Sequence, residues 1–385
     1  MPRIRMIPHA MAALVLLAFT ACAQLPADRG ISDVHQLVAE RSGQQLAAPD
    51  AATQTLVTQL LTSPLTAQQA VHVALLNNPR VRAEYARLGF AAAEVYDAGR
   101  LSNPRLSVEH LASNVSGQAH QVGFGLVQSF TDLLLLPART RLAAGEFERA
   151  KEQAGVALLN LAAEVEIAYN NLLGLQQLAS LRRAIASNAK NSADLALRFM
   201  DAGNLTAREW AQQSADAATA AASALQADNE VLLARTTLNE LLGLAPATSD
   251  WHTVAELPAP LDHDDEPAVL IALALKSRLD LAAQRREVTL LTDALRTAQT
   301  FRYLGAVEVG VLSERQTDRA RLSGPTLSLE LPVFNQGAGK SARAQAALEL
   351  AQTTLASLEL AVTHQVQQQS QRAAASRAPS CCVPN

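Results

Sequence analysis

The chain has 385 residues, 49% of them hydrophobic, but only 4% are aromatic and the net charge is −4. Large globular cores lean on aromatic side chains more than this, so extended helix pairs packed through Ala and Leu fit better than one thick core. The chain carries no basic patch to neutralise phosphates, which argues against nucleic acid as its main partner.

Residues 1–21 read as a signal peptide. Arg3 and Arg5 form a positive start, and the apolar run from Met11 to Phe19 is too short to span a membrane. Phe19-Thr-Ala-Cys22 closes it and resembles a bacterial lipobox, in which cleavage before Cys22 frees a thiol for lipid attachment. Ala23 next to it, rather than Asp, resembles lipoproteins passed on to the outer membrane. Residues 22–64 have weak periodicity with scattered Pro, Asp and Gly, and predict a lipidated tether with one short helix. Cys381 and Cys382 are adjacent, which suits no unstrained disulfide, so no disulfide framework is expected.

From Leu65 the chain holds two copies of one plan, residues 65–246 and 267–372, joined by a linker at 247–266 and followed by an atypical tail at 373–385. Each copy begins with a short helix and breaks at Asn77-Asn78-Pro79 or Lys276-Ser277-Arg278. A helix of about 20 residues and strand-like sequence follow. An offset of about 200 residues is too long for a solenoid repeat and indicates duplication of a whole supersecondary unit.

Strands are predicted over residues 104–112 and 120–130 in the first copy and over 303–313 and 321–333 in the second. Leu106 and Val108 alternate with Ser107 and Glu109; Val122, Phe124 and Leu126 with Gly123 and Gly125; Val307, Val309 and Val311 with Glu308 and Gly310; Leu327, Leu329 and Leu331 with Ser328 and Glu330. One apolar face and one face of Ser, Gly and Glu suit a transmembrane barrel around water. Four strands cannot enclose a lumen, so several chains must contribute.

Between the strand pairs, residues 138–244 predict a long helical hairpin. Small or apolar residues recur at spacings of three and four: Phe147, Ala150, Ala154, Ala157, Leu161, Val165, Ala168, Leu172, Leu175. The ascending arm would be on the order of 100 Å long, far more than a compact core needs. At the turn, Gly203 suits a left-handed position, Asn204 or Thr206 can cap the next helix, and Glu209 completes a capping box with Thr206. The second arm ends at Gly243 with Pro246 beyond it.

These pieces together resemble the TolC-like outer-membrane factors of efflux and secretion systems. The matching stretches are LTAQQAVHVALLNNPRVRA, RFMDAGNLTAREW, NELLGLAP, SRLDLAAQRREV and GPTLSLELPVFNQGAGKSARAQAALELA. The resemblance implies a mainly α protein with β. Its helical hairpins would form a periplasmic α-barrel, and four strands per protomer would enter a twelve-stranded transmembrane β-barrel in a homotrimer. It further implies a lipid-anchored outer-membrane location, with a periplasmic adaptor and an inner-membrane pump as partners. The expected function is a passive duct for drugs, metal ions or other small molecules; the competing reading is a periplasmic coiled-coil tethering lipoprotein. Taking the first copy's length from Ala138 to Gly203, a second tip would fall near about position 404, past Asn385. The expectation is therefore a truncated copy with impaired assembly.

Several residues stand out as sites. Glu109, Glu308 and Glu330 share the polar strand face and would point into the lumen, forming acidic rings that favour cations. Asp201, Gly203, Asn204 and Leu205 at the hairpin tip suit docking of the adaptor, and Cys22 suits lipidation. Asn335-Gln-Gly-Ala-Gly-Lys-Ser341 imitates a phosphate loop, but Phe334 stands where the first glycine is required. Asp262-His-Asp-Asp-Glu266 has metal-ligand residue types, yet consecutive acids on a proline-flanked loop read as solvated linker. His72, His110 and His120 are dispersed and form no catalytic constellation. No enzyme activity, cofactor or bound metal is expected.

Overall fold

The structure, a computed structural model, describes residues 28–43, 51–115, 117–246, 250–254, 257 and 265–377. Its order is α1 (Ile31–Ser42), α2 (Ala51–Leu61), α3 (Ala67–Asn77), α4 (Pro79–Ala98), β1 (Arg105–Leu111), β2 (Gln121–Ser129), α5 (Phe130–Asp201), α6 (Ala207–Leu242), α7 (Pro267–Ser277), α8 (Leu279–Thr300), β3 (Val307–Arg315), β4 (Arg321–Leu329) and α9 (Ala338–Arg377). Contacts divide it into two compact units that interleave the two sequence copies. Among the described residues, a helical unit takes those in 31–86 and 154–265, and a sheet unit takes 28–30, 87–153 and 266–377.

In the helical unit, α3 opens on Thr66, whose hydroxyl accepts the Gln69 N–H at 3.2 Å while the Gln69 carboxamide accepts the Thr66 N–H at 2.9 Å. This capping box satisfies two of the orphan donors of a helix start. α3 buries Ala70, Val71, Val73, Ala74, Leu75 and Leu76 and meets both α2 and α6. At Asn78 the backbone is extended (φ −67°, ψ 128°), as a residue before proline is obliged to be, and α4 begins at Pro79.

The core of this unit along α5 includes Ala154, Leu158, Leu161, Ala162, Val165, Tyr169, Leu172 and Leu173. The sequence stripe named Ala154, Leu161, Val165 and Leu172 but missed Leu158, Tyr169 and Leu173 on the adjoining helical row. Farther along, Ala179 and Ala196 on α5 and Ala224 and Ala227 on α6 are buried small residues. Arg183 Nε donates to Asp228 Oδ1 at 3.0 Å between the two arms. The inter-repeat segment is fastened here: Trp251 is 2% exposed, its indole donates to Asn239 Oδ1 at 2.8 Å, and Arg235 lies over its ring at 4.4 Å.

Two expectations are corrected. The described residues of 22–64 hold two helices, not one, and Val34, Val38 and Val57 are buried; the i, i+4 pair of valines gives α1 a packed face that its polar composition conceals. The long helix begins at Phe130, not at 138, with Pro137 inside it. The Ser129 hydroxyl accepts the Asp132 N–H at 3.2 Å and starts the helix seven residues ahead of the proline. Pro137 then deletes one helical hydrogen bond without ending the run. Residues 132–139 are thus helical.

In the sheet unit, four antiparallel strands lie in the order β1-β2-β3-β4, with β1 and β4 as edges. β3 starts four residues later than predicted, because α8 continues to Thr300 and a turn follows. It ends at Arg315 rather than 313, and β4 ends at Leu329 rather than 333. α9 packs against α8 and α7. Arg286 grips Glu152 with two bonds, Nε to Oε2 at 3.0 Å and Nη2 to Oε1 at 2.6 Å, linking α8 to α5. Arg285 pairs with Glu359 at 2.8 Å, linking α8 to α9.

Candidate functional site

The strand register sorts side chains into two faces. Residues opposite each other in antiparallel strands share a face, so the pairs Leu106↔Leu126, Val108↔Phe124, Leu126↔Val311, Val309↔Leu327 and Val307↔Leu329 form one apolar surface across all four strands. Leu106, Phe124, Val311 and Leu327 on it are 70%, 52%, 56% and 73% exposed. A large apolar face left open is unusual for a soluble monomer.

The opposite face carries Ser107↔Gly125, Glu109↔Gly123, Gly123↔Glu314 and Glu308↔Ser328. The three sequence candidates fall on this face or its continuation. Glu109 lies on β1. Glu308 lies on β3 in an ion pair with Arg105. Glu330 lies just past β4, where its carboxylate accepts the Ala306 N–H at 3.0 Å. Glu314 belongs with them and accepts a hydrogen bond from the Gln121 carboxamide. It was missed because the sequence pattern ended β3 at 313, although strand parity from Glu308 leads straight to it.

The hairpin tip is built by two standard devices. Gly203 has φ 77°; its N–H donates to Met200 O at 2.9 Å and the Asn204 N–H to Phe199 O at 2.8 Å, a Schellman closure of α5. Thr206 then caps α6, accepting the Glu209 N–H at 3.3 Å while Glu209 Oε2 accepts the Thr206 N–H at 2.9 Å. The Thr206 hydroxyl, donating to Glu209 Oε2 at 2.6 Å, and then the Thr206 N–H hold the Glu209 carboxyl below its usual range. Asp201, Gly203 and Asn204 are exposed and Leu205 is half-buried, so the tip presents a short polar surface of fixed shape.

The remaining motifs form no site among the described residues. Arg302 Nε donates to Gln336 O at 2.9 Å in the loop that imitates a phosphate cradle, and α9 starts at Ala338. No group of three metal-ligating side chains comes together among the described residues. His110 and His120 do meet, with ring centroids 5.2 Å apart, a juxtaposition their sequence separation hides. Cys22 and residues 262–264 lie outside the described residues. Among the described residues no helix is long and apolar enough to cross a membrane.

The sequence profile of a family described as outer membrane efflux protein matches residues 70–244. No curated protein matches the chain. Among solved structures, it is similar to the outer membrane protein VceC of Vibrio cholerae (18% identity, TM-score 0.67, covering 81% of this chain and 80% of that one). It is also similar to the CmeC outer membrane channel of Campylobacter jejuni (13% identity, TM-score 0.64, 88% and 77%) and to the outer-membrane channel OprN (22% identity, TM-score 0.64, 87% and 81%). At these identities the likeness is one of fold. Residues 70–244, a little under half of the chain, are thus similar to the outer membrane efflux protein family, in keeping with the TolC-like resemblance of the sequence, and the chain has the mainly α, partly β fold of the outer-membrane channels.

Proposed function

We propose that the protein is the outer-membrane duct of an efflux system, a homotrimer whose strands cross the membrane and whose helices stand in the periplasm. One observation carries this reading: a four-stranded sheet with two free edges, an open apolar face and a face of Glu, Gly and Ser. Nine-residue strands are about 30 Å long and, tilted, match a bilayer's apolar band. Joining β4 of one copy to β1 of the next removes both edges, which four strands cannot do alone. Leu225, Leu232 and Leu233 on α6 are 70%, 60% and 67% exposed, which suits helix contacts with further copies.

In this reading the duct is passive. Substrate arrives from an inner-membrane pump through an adaptor docked at Asp201, Gly203, Asn204 and Leu205, and the lipid on Cys22 anchors the chain. Glu109, Glu308, Glu314 and Glu330 face the lumen and favour cations. Arg105 offsets Glu308, so Glu109 sets selectivity more than Glu308 does. The test is reconstitution of the full chain into planar bilayers. Stepwise conductance from a detergent-resistant trimer, with reduced cation preference in Glu109→Gln, is the expected result. A monomer that leaves the bilayer silent, and is released from membranes by Cys22→Ser alone, would instead make it a tethering lipoprotein.

A further inference from the structure

The apolar sheet face ends in a pair of positive charges. At the hairpin end, Arg315 on β3 lies directly opposite Arg321 on β4, and the register continues through Val122 to His110 on β1. Like charges directly opposite on one face repel, and nothing on this face offsets them. Glu109, Glu308 and Glu314 all lie on the other face by parity, where Arg105 takes Glu308. Arg315 and Arg321 are exposed and have no ion-pair partner among the described residues.

Immediately inward of the arginines lies the row Val108, Phe124, Ser313, Ser323, and then Leu106, Leu126, Val311, Pro325. Between these rows is a groove of about 510 Å³ lined by Leu106, Phe124, Leu126, Val311, Ser313 and Pro325, among others, large enough for a fatty acyl chain. A greasy groove ending at a doubled cation is complementary to an amphiphile with an anionic head. Arginine pairs suit phosphate because each guanidinium offers parallel donors to its oxygens.

The position selects the lipid. Both strand-connecting turns, residues 112–120 and 316–320, are at this end, whereas α4, α5, α8 and α9 join the strands at the other. We infer that Arg315 and Arg321 hold the phosphate of an outer-leaflet phosphoglycolipid, lipopolysaccharide, with one acyl chain in the groove. This rests on the proposed membrane reading, which puts the helices in the periplasm and the turns outside.

The full chain in detergent micelles is titrated with bisphosphorylated lipid A, and retained lipid is counted by native mass spectrometry. Phosphate-free lipid A, phosphatidylglycerol and inorganic phosphate serve as comparators. The expected result is saturable lipid A binding, weakened about tenfold or more in the Arg315→Gln/Arg321→Gln pair and largely kept in the Arg315→Lys/Arg321→Lys pair. Equal binding by the glutamine pair, or equal binding of phosphate-free lipid A, phosphatidylglycerol or inorganic phosphate, would overturn it. A separate arm measures quenching of Leu126→Trp by brominated phospholipid, over the unaltered chain. Quenching with unchanged lipid A affinity in the glutamine pair defeats only the lipid site, whereas absence of quenching defeats the membrane reading and this inference with it.

Discussion

The side-chain amide of Asn78 donates to the Leu241 carbonyl at 2.7 Å across 163 residues of sequence. Beside it, Asn77 donates to Leu242 O at 3.0 Å and Gly243 O at 2.7 Å. The break between α3 and α4 therefore caps the end of α6, whose last carbonyls have no intrahelical partners. Asn78 also starts α4, its Oδ1 accepting the Arg80 N–H at 2.8 Å. Being 3% exposed, it has no water to replace these bonds. Asn78→Ala is expected to lower stability by about 2 kcal/mol. Asn78→Asp keeps the Arg80 bond but turns an acceptor toward Leu241 O at the negative end of a helix, and is expected to cost more than Ala. Thermal melts of the two variants check the order; Asp milder than Ala would contradict the assignment of Nδ2 to the carbonyl.

Two glycines with left-handed backbones separate conformational strain from crowding. Gly203 has φ 77° with nothing within 4 Å of an added Cβ, whereas at Gly243 (φ 68°) that carbon would lie 2.9 Å from Asn77 O and from Asn78 Cα. Gly203→Ala should cost about 1 kcal/mol, the ordinary left-handed penalty. Gly243→Ala must in addition push the Asn77–Asn78 backbone aside, and about 3 kcal/mol is expected. Chemical denaturation midpoints decide it, equal losses at both sites being the contrary outcome.

Glu152 is 8% exposed, and its bidentate partner Arg286 retains 38% side-chain exposure. The hydrogen bonds it donates to Glu152 hold the guanidinium above its already high range, against the opposing effect of burial. Arg286→Met leaves a buried carboxylate uncompensated, at a cost of about 2 kcal/mol once solvent screening of the exposed partner is allowed for. Adding Glu152→Leu should restore most of that loss, since an apolar pair of similar size needs no desolvation of charge. A double-mutant cycle on thermal midpoints measures the coupling; additive losses would mean the pair contributes nothing jointly.

Much of this was legible because it depends on short-range chemistry. Period-two alternation around Val309 and Leu327 gave the faces of the sheet, and Thr206 with Glu209 gave the start of α6. What sequence concealed depends on distant partners. The Asn77-Asn78-Pro79 break reads as a helix boundary, and its role as a cap for α6 exists only once Leu241 is beside it. Val34 and Val38 in a polar stretch give too weak a stripe to outweigh their neighbours. The hairpin expected from 138 starts just past Pro137, whereas the Ser129 cap begins the helix earlier.

Two histidines give the helical unit a pH-dependent stability. Burial lowers the pKa of His35 and of His72 from 6.5. His35 Nε2 lies 2.8 Å from the Tyr85 hydroxyl, itself kept neutral by burial that raises its pKa to about 12. His72 Nε2 is buried without a hydrogen-bond partner among the described residues. In both cases the unfolded chain binds a proton more readily than the folded one. Stability is therefore full above pH 6.5 and is lost as pH falls from there through the folded pKa. The Glu209 carboxyl acts in the same sense, but below its ordinary value of 4.5, outside that window. His72→Leu removes a proton acceptor and an unsatisfied polar atom together, so it should leave the melting temperature at pH 7.5 unchanged or higher and flatten its fall between pH 6.5 and 5. His35→Gln, which keeps a polar group near Tyr85, should flatten the same limb. A slope that survives both substitutions would place the titration elsewhere in the molecule.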